Sequence, residues 1–235
     1  MKSFSIKIAE TVVKITPMFS QVFEMCRDYL TDEDPLFEIE TTENDLEKER
    51  AMADGEYSLG YLETLAVYRK IVTKLVFLDI LLVHGSAIAV DGKAYLFTAP
   101  SGTGKSTHTR MWREYFKNRA VMINDDKPLV RLKNDGVFIY GTPWNGKHNL
   151  GNNISAPLEG VCILERAKEN NIARISKKEA YPTLLSQIYR PIENSEAMIK
   201  TLQIADKFME LPLYRLGCNI SHEAAVTAYE GMKGE

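Results

Sequence analysis

The chain has 235 residues, of which 45% are hydrophobic and 26% charged, and its formal net charge at pH 7 is −3. This size allows one large hydrophobic core, and the interspersed charges lack the basic face typical of nucleic-acid-binding proteins and the polybasic run of lipid-binding ones. Three scattered cysteines, Cys26, Cys162 and Cys218, have neither metal-binding spacing nor a disulfide framework, which predicts a reducing environment.

The N-terminus alternates apolar and polar residues, unlike a signal peptide, and the most apolar stretch, 75–83, is too short to span a bilayer. We therefore expect a cytoplasmic protein with no nucleic-acid or membrane partner. No repeat or clear linker divides the sequence. We expect a single domain over residues 1–235, in which residues 1–80 form an N-terminal elaboration packed on a core of residues 81–235.

The first part of the chain predicts short strands followed by helices. Alternating apolar residues indicate paired strands at 4–8 and 12–15, and helical spacing follows over 19–30. After a short strand at 36–39, the Glu-rich stretch 42–53 predicts a solvated helix. Ser58 is expected to cap a long helix that packs on the core and leads to His84.

The segments 84–90 and 93–98 flank Asp91-Gly92, which favours a tight type I′ hairpin. Many phosphate-binding loops instead follow a parallel strand that has no hairpin partner just upstream. The sequence therefore predicts an α/β fold with a mixed, largely antiparallel β-core and flanking helices.

The residues that follow this hairpin resemble a phosphate-binding loop, because they stand between the apolar run 94–97 and a predicted helix at 106–116. Ala99 replaces the first glycine of the G-x-x-x-x-G-K-[ST] pattern. Lys105 is expected to reach the β- and γ-phosphates, and the Ser106 hydroxyl to bind the Mg²⁺ that bridges them. A glycine-rich turn with a surface lysine is the alternative. The predicted nucleotide-binding residues are Ser101, Gly102, Thr103, Gly104, Lys105, Ser106 and Thr107.

Two adjacent carboxylates, Asp125 and Asp126, follow a predicted buried strand at 120–123. Successive strand residues point to opposite sides, so unequal roles are expected. We assign Asp125 as the general base on an acceptor hydroxyl and Asp126 as a metal ligand, directly or through water. A turn with two hydrated aspartates is the alternative.

The remainder predicts alternating strands and helices. His84 is placed at the start of the strand paired with the one before the loop, where a site role and a structural role are both open. The loop 141–149 is the candidate for acceptor recognition through Trp144, Lys147 and His148, although Trp144 would equally suit a core plug. Arg190 and Arg215 either complete an anion site or form surface ion pairs. The predicted elements are a hairpin around 134–136, strands at 160–164 and 213–216, and helices at 178–189, 197–209 and after 221.

Three motifs together resemble the catalytic domain of HPr kinase/phosphorylase, which is related to the ATP-type phosphoenolpyruvate carboxykinases. They are His84-Gly85-Ser86-Ala87, the loop 101–106 and Asn124-Asp125-Asp126. The segment 211–216 resembles small HPr-kinase-like proteins that accompany peptide-modification gene clusters.

The resemblance implies an ATP- and Mg²⁺-dependent kinase that phosphorylates a hydroxyl, with serine of a protein or peptide as the first choice of acceptor and a small metabolite as the second. It implies that Asp125 is the base, that Ser106 and Asp126 bind the metal, and that His84 lies beside the transferred phosphate. The signature that supports the phosphorylase reaction has no clear match. A nucleotide-binding regulatory module and a scaffold protein remain alternatives, and a homo-oligomer is left open.

Overall fold

The computed structural model describes residues 2–234. A small N-terminal sheet contains β1 (Phe4–Ile8), β2 (Thr11–Thr16) and β3 (Phe37–Glu40) in that order. The β1–β2 pair is antiparallel and the β2–β3 pair is parallel. The connection between β2 and β3 contains α1 (Ser20–Met25) and a 3₁₀ turn at Arg27–Tyr29, so the helix predicted over 19–30 is interrupted.

Two helices link this sheet to the rest of the chain. The first, α2 (Glu43–Met52), begins with a capping box between Thr42 and Asp45. The second, α3 (Leu59–Leu75), begins as predicted, because the Ser58 hydroxyl accepts a hydrogen bond from the Tyr61 backbone N–H. A 3₁₀ turn then ends at Asp79, whose φ of 57° stops the helical path.

A nine-stranded sheet forms the centre of the molecule. Its main order is β4-β8-β9-β10-β6-β5-β7, with β12 paired to β10 and β11 paired to β12. Only the β10–β6 and β10–β12 pairs are parallel, which confirms the predicted mixed, largely antiparallel α/β class. The strands are β4 (Ile80–Leu82), β5 (Ser86–Val90), β6 (Lys93–Thr98), β7 (Ala120–Asn124), β8 (Leu129–Lys133), β9 (Gly136–Tyr140), β10 (Ser155–Arg166), β11 (Asn171–Arg174) and β12 (Leu213–Cys218).

The predicted hairpin is present, and Asp91 and Gly92 have φ values of 51° and 81°, as a type I′ turn requires. His84 does not begin β5, contrary to the prediction, because β5 starts at Ser86 and His84 lies in the connection from β4. That connection forms a single bridge between Val83 and Ile188.

Four further helices flank the sheet, and none of the helices described over residues 2–234 has the length and apolar character needed to cross a membrane. One apolar cluster is shared between the N-terminal elements and the large sheet: Val13 and Val67 pack together with Leu129 and Tyr140. The helices are α4 (Lys105–Phe116), α5 (Lys177–Gln187), α6 (Ser195–Phe208) and α7 (His222–Met232).

Candidate active site

The glycine-rich loop joins β6 to the N-terminus of α4. Gly102 and Gly104 have φ values of 76° and 127°, a backbone region that other residues rarely adopt. A Cβ atom at either position would meet nothing within 4 Å, so backbone conformation and not lack of space requires glycine here. No side chain caps the start of α4 at Gly104, which leaves the first-turn N–H groups for an anionic ligand.

Lys105 lies at the inner side of this loop. Its Nζ donates a hydrogen bond to the Ala99 carbonyl at 2.9 Å, and Ala99 itself is fully buried, so a small residue suits that position. Burial lowers the pKa of Lys105, while the negative charge of Asp126 acts in the opposite direction. Lys105 and Asp126, which are 21 positions apart in the sequence, therefore share one electrostatic environment.

Arg166 supports the loop from the sheet. Its Nη2 donates to the Gly102 carbonyl at 2.6 Å and its Nε donates to the Thr103 carbonyl at 3.3 Å. Arg166 ends β10, which runs parallel to β6, so the ends of both strands lie at the same edge. Arg166 was not among the predicted site residues, because a charged residue after an apolar strand does not by itself indicate a contact with the loop.

A cavity of about 560 Å³ adjoins the outer side of the loop. Thr107, His108 and Met111 of α4 form one wall, and Leu164 and Ile220 belong to the opposite side. The cavity is larger than a phosphate group needs and has apolar walls, as the site of a nucleoside would.

The turn that carries the two aspartates is built around Asn124, which is fully buried. Its Oδ1 accepts hydrogen bonds from the backbone N–H groups of Asp126 at 2.9 Å and Lys127 at 2.7 Å. Its Nδ2 donates to the carbonyls of Thr142 at 3.2 Å and Trp144 at 3.3 Å. Asparagine favours such local turns, so its position before the two aspartates is the sequence signal for this role, which was not predicted. We call residues 124–127 the acid turn.

Replacing Asn124 with alanine is expected to lower the free energy of unfolding by about 3 kcal/mol, because buried backbone donors and acceptors lose their partners. For a chain of this length, that corresponds to a melting temperature lower by roughly 10 °C. Thermal unfolding followed by circular dichroism measures the shift. The control is Asn171→Ala at an exposed position of β11; an equal effect of the two substitutions would contradict the assigned role of Asn124.

Asp126 contacts two basic side chains. Its Oδ1 lies 3.3 Å from His84 Nε2, and its Oδ2 lies 3.3 Å from Lys127 Nζ. Burial alone would raise the pKa of Asp126, but the hydrogen bond to His84 and the charges of Lys127 and His84 outweigh it and hold the pKa below its ordinary value. Asp126 is therefore a carboxylate that stays charged and is suited to binding a cation.

His84 links the acid turn to the end of α5. Its Nδ1 lies 2.9 Å from Gln187 Oε1, and the Gln187 amide is oriented by donating from Nε2 to the Ser186 hydroxyl at 3.0 Å. Each ring nitrogen of His84 thus faces an oxygen atom, Gln187 Oε1 on one side and Asp126 Oδ1 on the other. His84 is fixed as a hydrogen-bond donor beside Asp126.

Asp125 has a different environment. Only 5% of its surface is exposed, and its Oδ1 accepts a hydrogen bond from the Gly146 backbone N–H at 2.7 Å. The loop predicted to recognise an acceptor is therefore held against this aspartate. The two adjacent acids face different partners, as neighbouring residues at the end of a strand do.

Within that loop, Trp144 has the structural role that the sequence left open. It is buried, stacks on Tyr68 with 4.0 Å between the ring centroids, and donates from Nε1 to the Thr64 carbonyl at 2.7 Å. Lys147 and His148 are exposed. Neither arginine considered for an anion site is buried there: Arg190 is exposed, and Arg215 lies 3.3 Å from Glu165 in a partly exposed ion pair.

The remaining predicted site residues lie on the loop surface, where Ser101 and Ser106 are exposed. Within residues 2–234, no group of three or more His, Cys, Asp or Glu side chains could hold a metal ion. Mg²⁺ that arrives with a nucleotide takes most of its ligands from phosphates and water and needs only one or two from the protein. The Ser106 hydroxyl and the Asp126 carboxylate are oxygen ligands of the kind that such an ion takes.

Comparison with known families gives one sequence match that covers most of the chain. The family described as "SynChlorMet cassette protein ScmC" matches residues 54–221. The chain belongs to the ScmC family. The part shared with ScmC includes His84, the glycine-rich loop and the acid turn, whereas residues 1–53 lie outside it.

Among solved structures, the chain is similar to the HPr(Ser) kinase/phosphatase from Coxiella burnetii. The two share 9% sequence identity with a TM-score of 0.39, over 64% of this ScmC-family chain and 95% of the other. No curated protein matches the chain in sequence.

Proposed function

We propose that this protein is an ATP- and Mg²⁺-dependent kinase that transfers the γ-phosphoryl group to a hydroxyl, with serine of a peptide or protein as the acceptor. The observation that carries the proposal is that the glycine-rich loop and the acid turn meet at His84-Gly85. The His84 carbonyl accepts a hydrogen bond at 2.9 Å from the hydroxyl of Thr98, the last residue of β6, and the Gly85 N–H donates to the Asp126 carbonyl at 3.0 Å. The Lys105 ammonium, which can bind phosphate, and the Asp126 carboxylate, which can bind a metal ion, then act on the same small volume, as phosphoryl transfer requires.

The nucleotide follows from the loop and the cavity beside it. The N–H groups at the start of α4 and the Lys105 ammonium bind the β- and γ-phosphates, and the 560 Å³ cavity takes the nucleoside. Arg166 keeps the loop carbonyls of Gly102 and Thr103 turned toward the sheet, so that the loop N–H groups remain directed to the ligand. Ser106 and Asp126 would hold the Mg²⁺, which would neutralise phosphate charge.

The chemical step assigns a separate task to each acid. Asp125 takes the proton of the acceptor hydroxyl as the new phosphorus–oxygen bond forms and the bond to the leaving ADP oxygen breaks. Asp126, whose pKa is lowered, stays charged and binds the metal. His84 holds Asp126 in place and lies beside the transferred group.

The proposal is tested by incubating the protein with γ-labelled ATP, Mg²⁺ and serine-containing peptides, beginning with products of the cassette that the family description names. Label on the serine hydroxyl is the expected result. Release of labelled phosphate to water alone, or no turnover with any acceptor, would contradict a kinase and favour a nucleotide-binding regulatory module.

Lys105→Met is expected to abolish the stabilisation of the protein by ATP. At a concentration 100 times the dissociation constant, a ligand adds about 2.7 kcal/mol, which raises the melting temperature of a chain of this size by roughly 5 to 10 °C. The methionine keeps the buried stem of the lysine and removes its charge. Thermal shift with and without ATP–Mg²⁺ measures the effect, with Lys178→Met on the exposed side of α5 as the control. An undiminished shift in Lys105→Met would rule out this nucleotide site.

A further inference from the structure

A second cavity, of about 420 Å³, lies between α2, α3 and the segment that follows α5. We call it the tyrosine cavity, because Tyr57, Tyr61, Tyr68 and Tyr189 all contribute to its lining. None of these residues was a predicted site residue. The cavity is distinct from the one beside the glycine-rich loop, and its residues belong to different elements.

The floor of the tyrosine cavity continues into the candidate active site. The Val83–Ile188 bridge places Leu82 opposite Tyr189 and His84 opposite Gln187. Residues two apart on an extended strand point to the same side, so Leu82 and Tyr189, which line the cavity, share a face with the His84–Gln187 pair.

A second connection runs through Lys127. Its side chain lines the tyrosine cavity, and its Nζ lies 3.3 Å from Asp126 Oδ2. Its backbone carbonyl accepts a hydrogen bond from the Tyr68 hydroxyl at 2.8 Å, which fixes the cavity wall to the acid turn. A molecule in the cavity therefore lies next to the Asp126 and Lys127 side of the acid turn.

The chemistry of the walls favours an apolar occupant. Leu65, Val72 and Leu82 line the interior, and the buried charge of Glu49 is matched by Arg69, whose Nε lies 2.5 Å from Glu49 Oε1. The lining also includes Lys127, which pairs with Asp126, and Asp54, whose Oδ1 accepts a hydrogen bond from the Tyr57 hydroxyl at 2.8 Å, so each charged residue of the cavity already has a partner.

The rim extends the apolar surface outward from the cavity. Met52 is 58% exposed, and Tyr57 and Tyr61 stack on each other with 5.0 Å between their ring centroids. Tyrosine and methionine are common at peptide-binding surfaces, since they offer large contact areas. A small metabolite held at the acid turn would leave this rim unused, whereas an extended peptide reaches both places.

We propose that the tyrosine cavity binds a large apolar side chain of the acceptor peptide, within a few residues of the hydroxyl that enters the acid turn. This inference rests on the proposed kinase function, because it names the substrate class of that same site. Side chains two apart on an extended peptide lie about 7 Å from each other on one side of the backbone. One peptide strand can therefore fill the cavity and place a serine at the acid turn.

The test measures peptide selection and phosphoryl transfer separately. A library of octapeptides with a central serine and randomised flanks is selected on the immobilised protein with a non-hydrolysable ATP analogue and Mg²⁺. We expect at least a tenfold enrichment of Phe, Tyr, Leu or Met at a flanking position. Tyr61→Ala, which removes part of the rim, and Leu65→Trp, which fills the interior, are expected to abolish that enrichment.

The control is Phe77→Ala, which removes an exposed aromatic ring just beyond α3 and outside the cavity, and it should select the same peptides as the unaltered protein. Circular dichroism checks that each variant is folded. No enrichment, enrichment that persists in both cavity variants, or binding restricted to small hydroxylated metabolites would overturn the proposal. Label transfer to serine without flanking preference would leave the kinase standing and reject the cavity. Selection of peptides with an apolar flanking residue, without transfer of phosphate to serine, would leave the cavity standing and reject the kinase.

Discussion

Asp125→Asn is expected to reduce phosphoryl transfer by a factor of 10² to 10⁴, the usual contribution of a general base, while ATP binding is retained. The asparagine Oδ1 can still accept the hydrogen bond from the Gly146 N–H, so the turn and the loop keep their positions. What the substitution removes is the oxygen that takes the acceptor's proton. Single-turnover transfer of labelled phosphate measures the first effect, and the ATP-dependent thermal shift measures the second.

Two further variants separate the roles of the adjacent acids. Asp126→Asn loses the charge that His84, Lys127 and Lys105 all act on, so it should raise the Mg²⁺ concentration needed for turnover. The control is Asp34→Asn, at an exposed position just before β3, which should change neither the rate of phosphoryl transfer nor the Mg²⁺ concentration needed. If Asp125→Asn transferred phosphate at the rate of the unaltered protein, Asp125 could not be the base; if it lost nucleotide affinity as well, its role would be in binding.

His108 is expected to make the protein strongly sensitive to acid. Burial lowers the pKa of His108 from its usual value of 6.5 to about 3, and its Nε2 accepts a hydrogen bond from Trp112 Nε1 at 2.9 Å, which needs the neutral ring. Above pH 6.5 neither the folded nor the unfolded state protonates this group. Below pH 6.5 only the unfolded chain takes up the proton, so stability falls as the pH decreases toward 3.

At pH 4.5 the loss from His108 alone amounts to about 2.5 kcal/mol relative to neutral pH. Urea unfolding at a series of pH values measures it. His108→Gln keeps an acceptor for Trp112 and should remove this part of the pH dependence, whereas His222→Gln, at a partly exposed histidine paired with Glu114, should retain it. An unchanged slope in His108→Gln would show that another group controls the acid response.

Much of the architecture could be predicted from local patterns. The Asp91-Gly92 turn, the Ser58 cap and the glycine-rich loop each depend on a few residues with strong conformational preferences, and the structure has all three. The largely antiparallel sheet followed from the hairpin just upstream of the loop.

Other elements have no clear local signal. The three-residue strand β4 lies inside an apolar run that resembles a continuing helix, and β11 is an edge strand whose residues are mostly exposed. The strand β10 is longer than predicted because its first residues, which include Pro157, pair with β9 before the apolar run begins. In β4, β10 and β11 the strand forms because it pairs with a strand distant in sequence, and the hydrophobic periodicity of a short sequence window does not show such pairing.

The candidate site divides in the same way. Lys105 and the two aspartates could be chosen because loop and turn motifs carry their own chemistry. Arg166 and Gln187 could not, since each reaches the site from an element distant in sequence and has no motif around it. For Trp144, the sequence left acceptor recognition and core packing both open, and its stacking on Tyr68 shows that it packs in the core.

The apolar cluster shared by the N-terminal sheet, α3 and the strands β8 and β9 has a practical consequence for anyone who shortens this protein. Removing residues 1–53, which precede the family match, would take away the N-terminal members of this cluster and expose part of Val67 and Ile71 to water. A fragment cut at that boundary should aggregate. Expression and crystallisation are therefore best attempted on the whole chain.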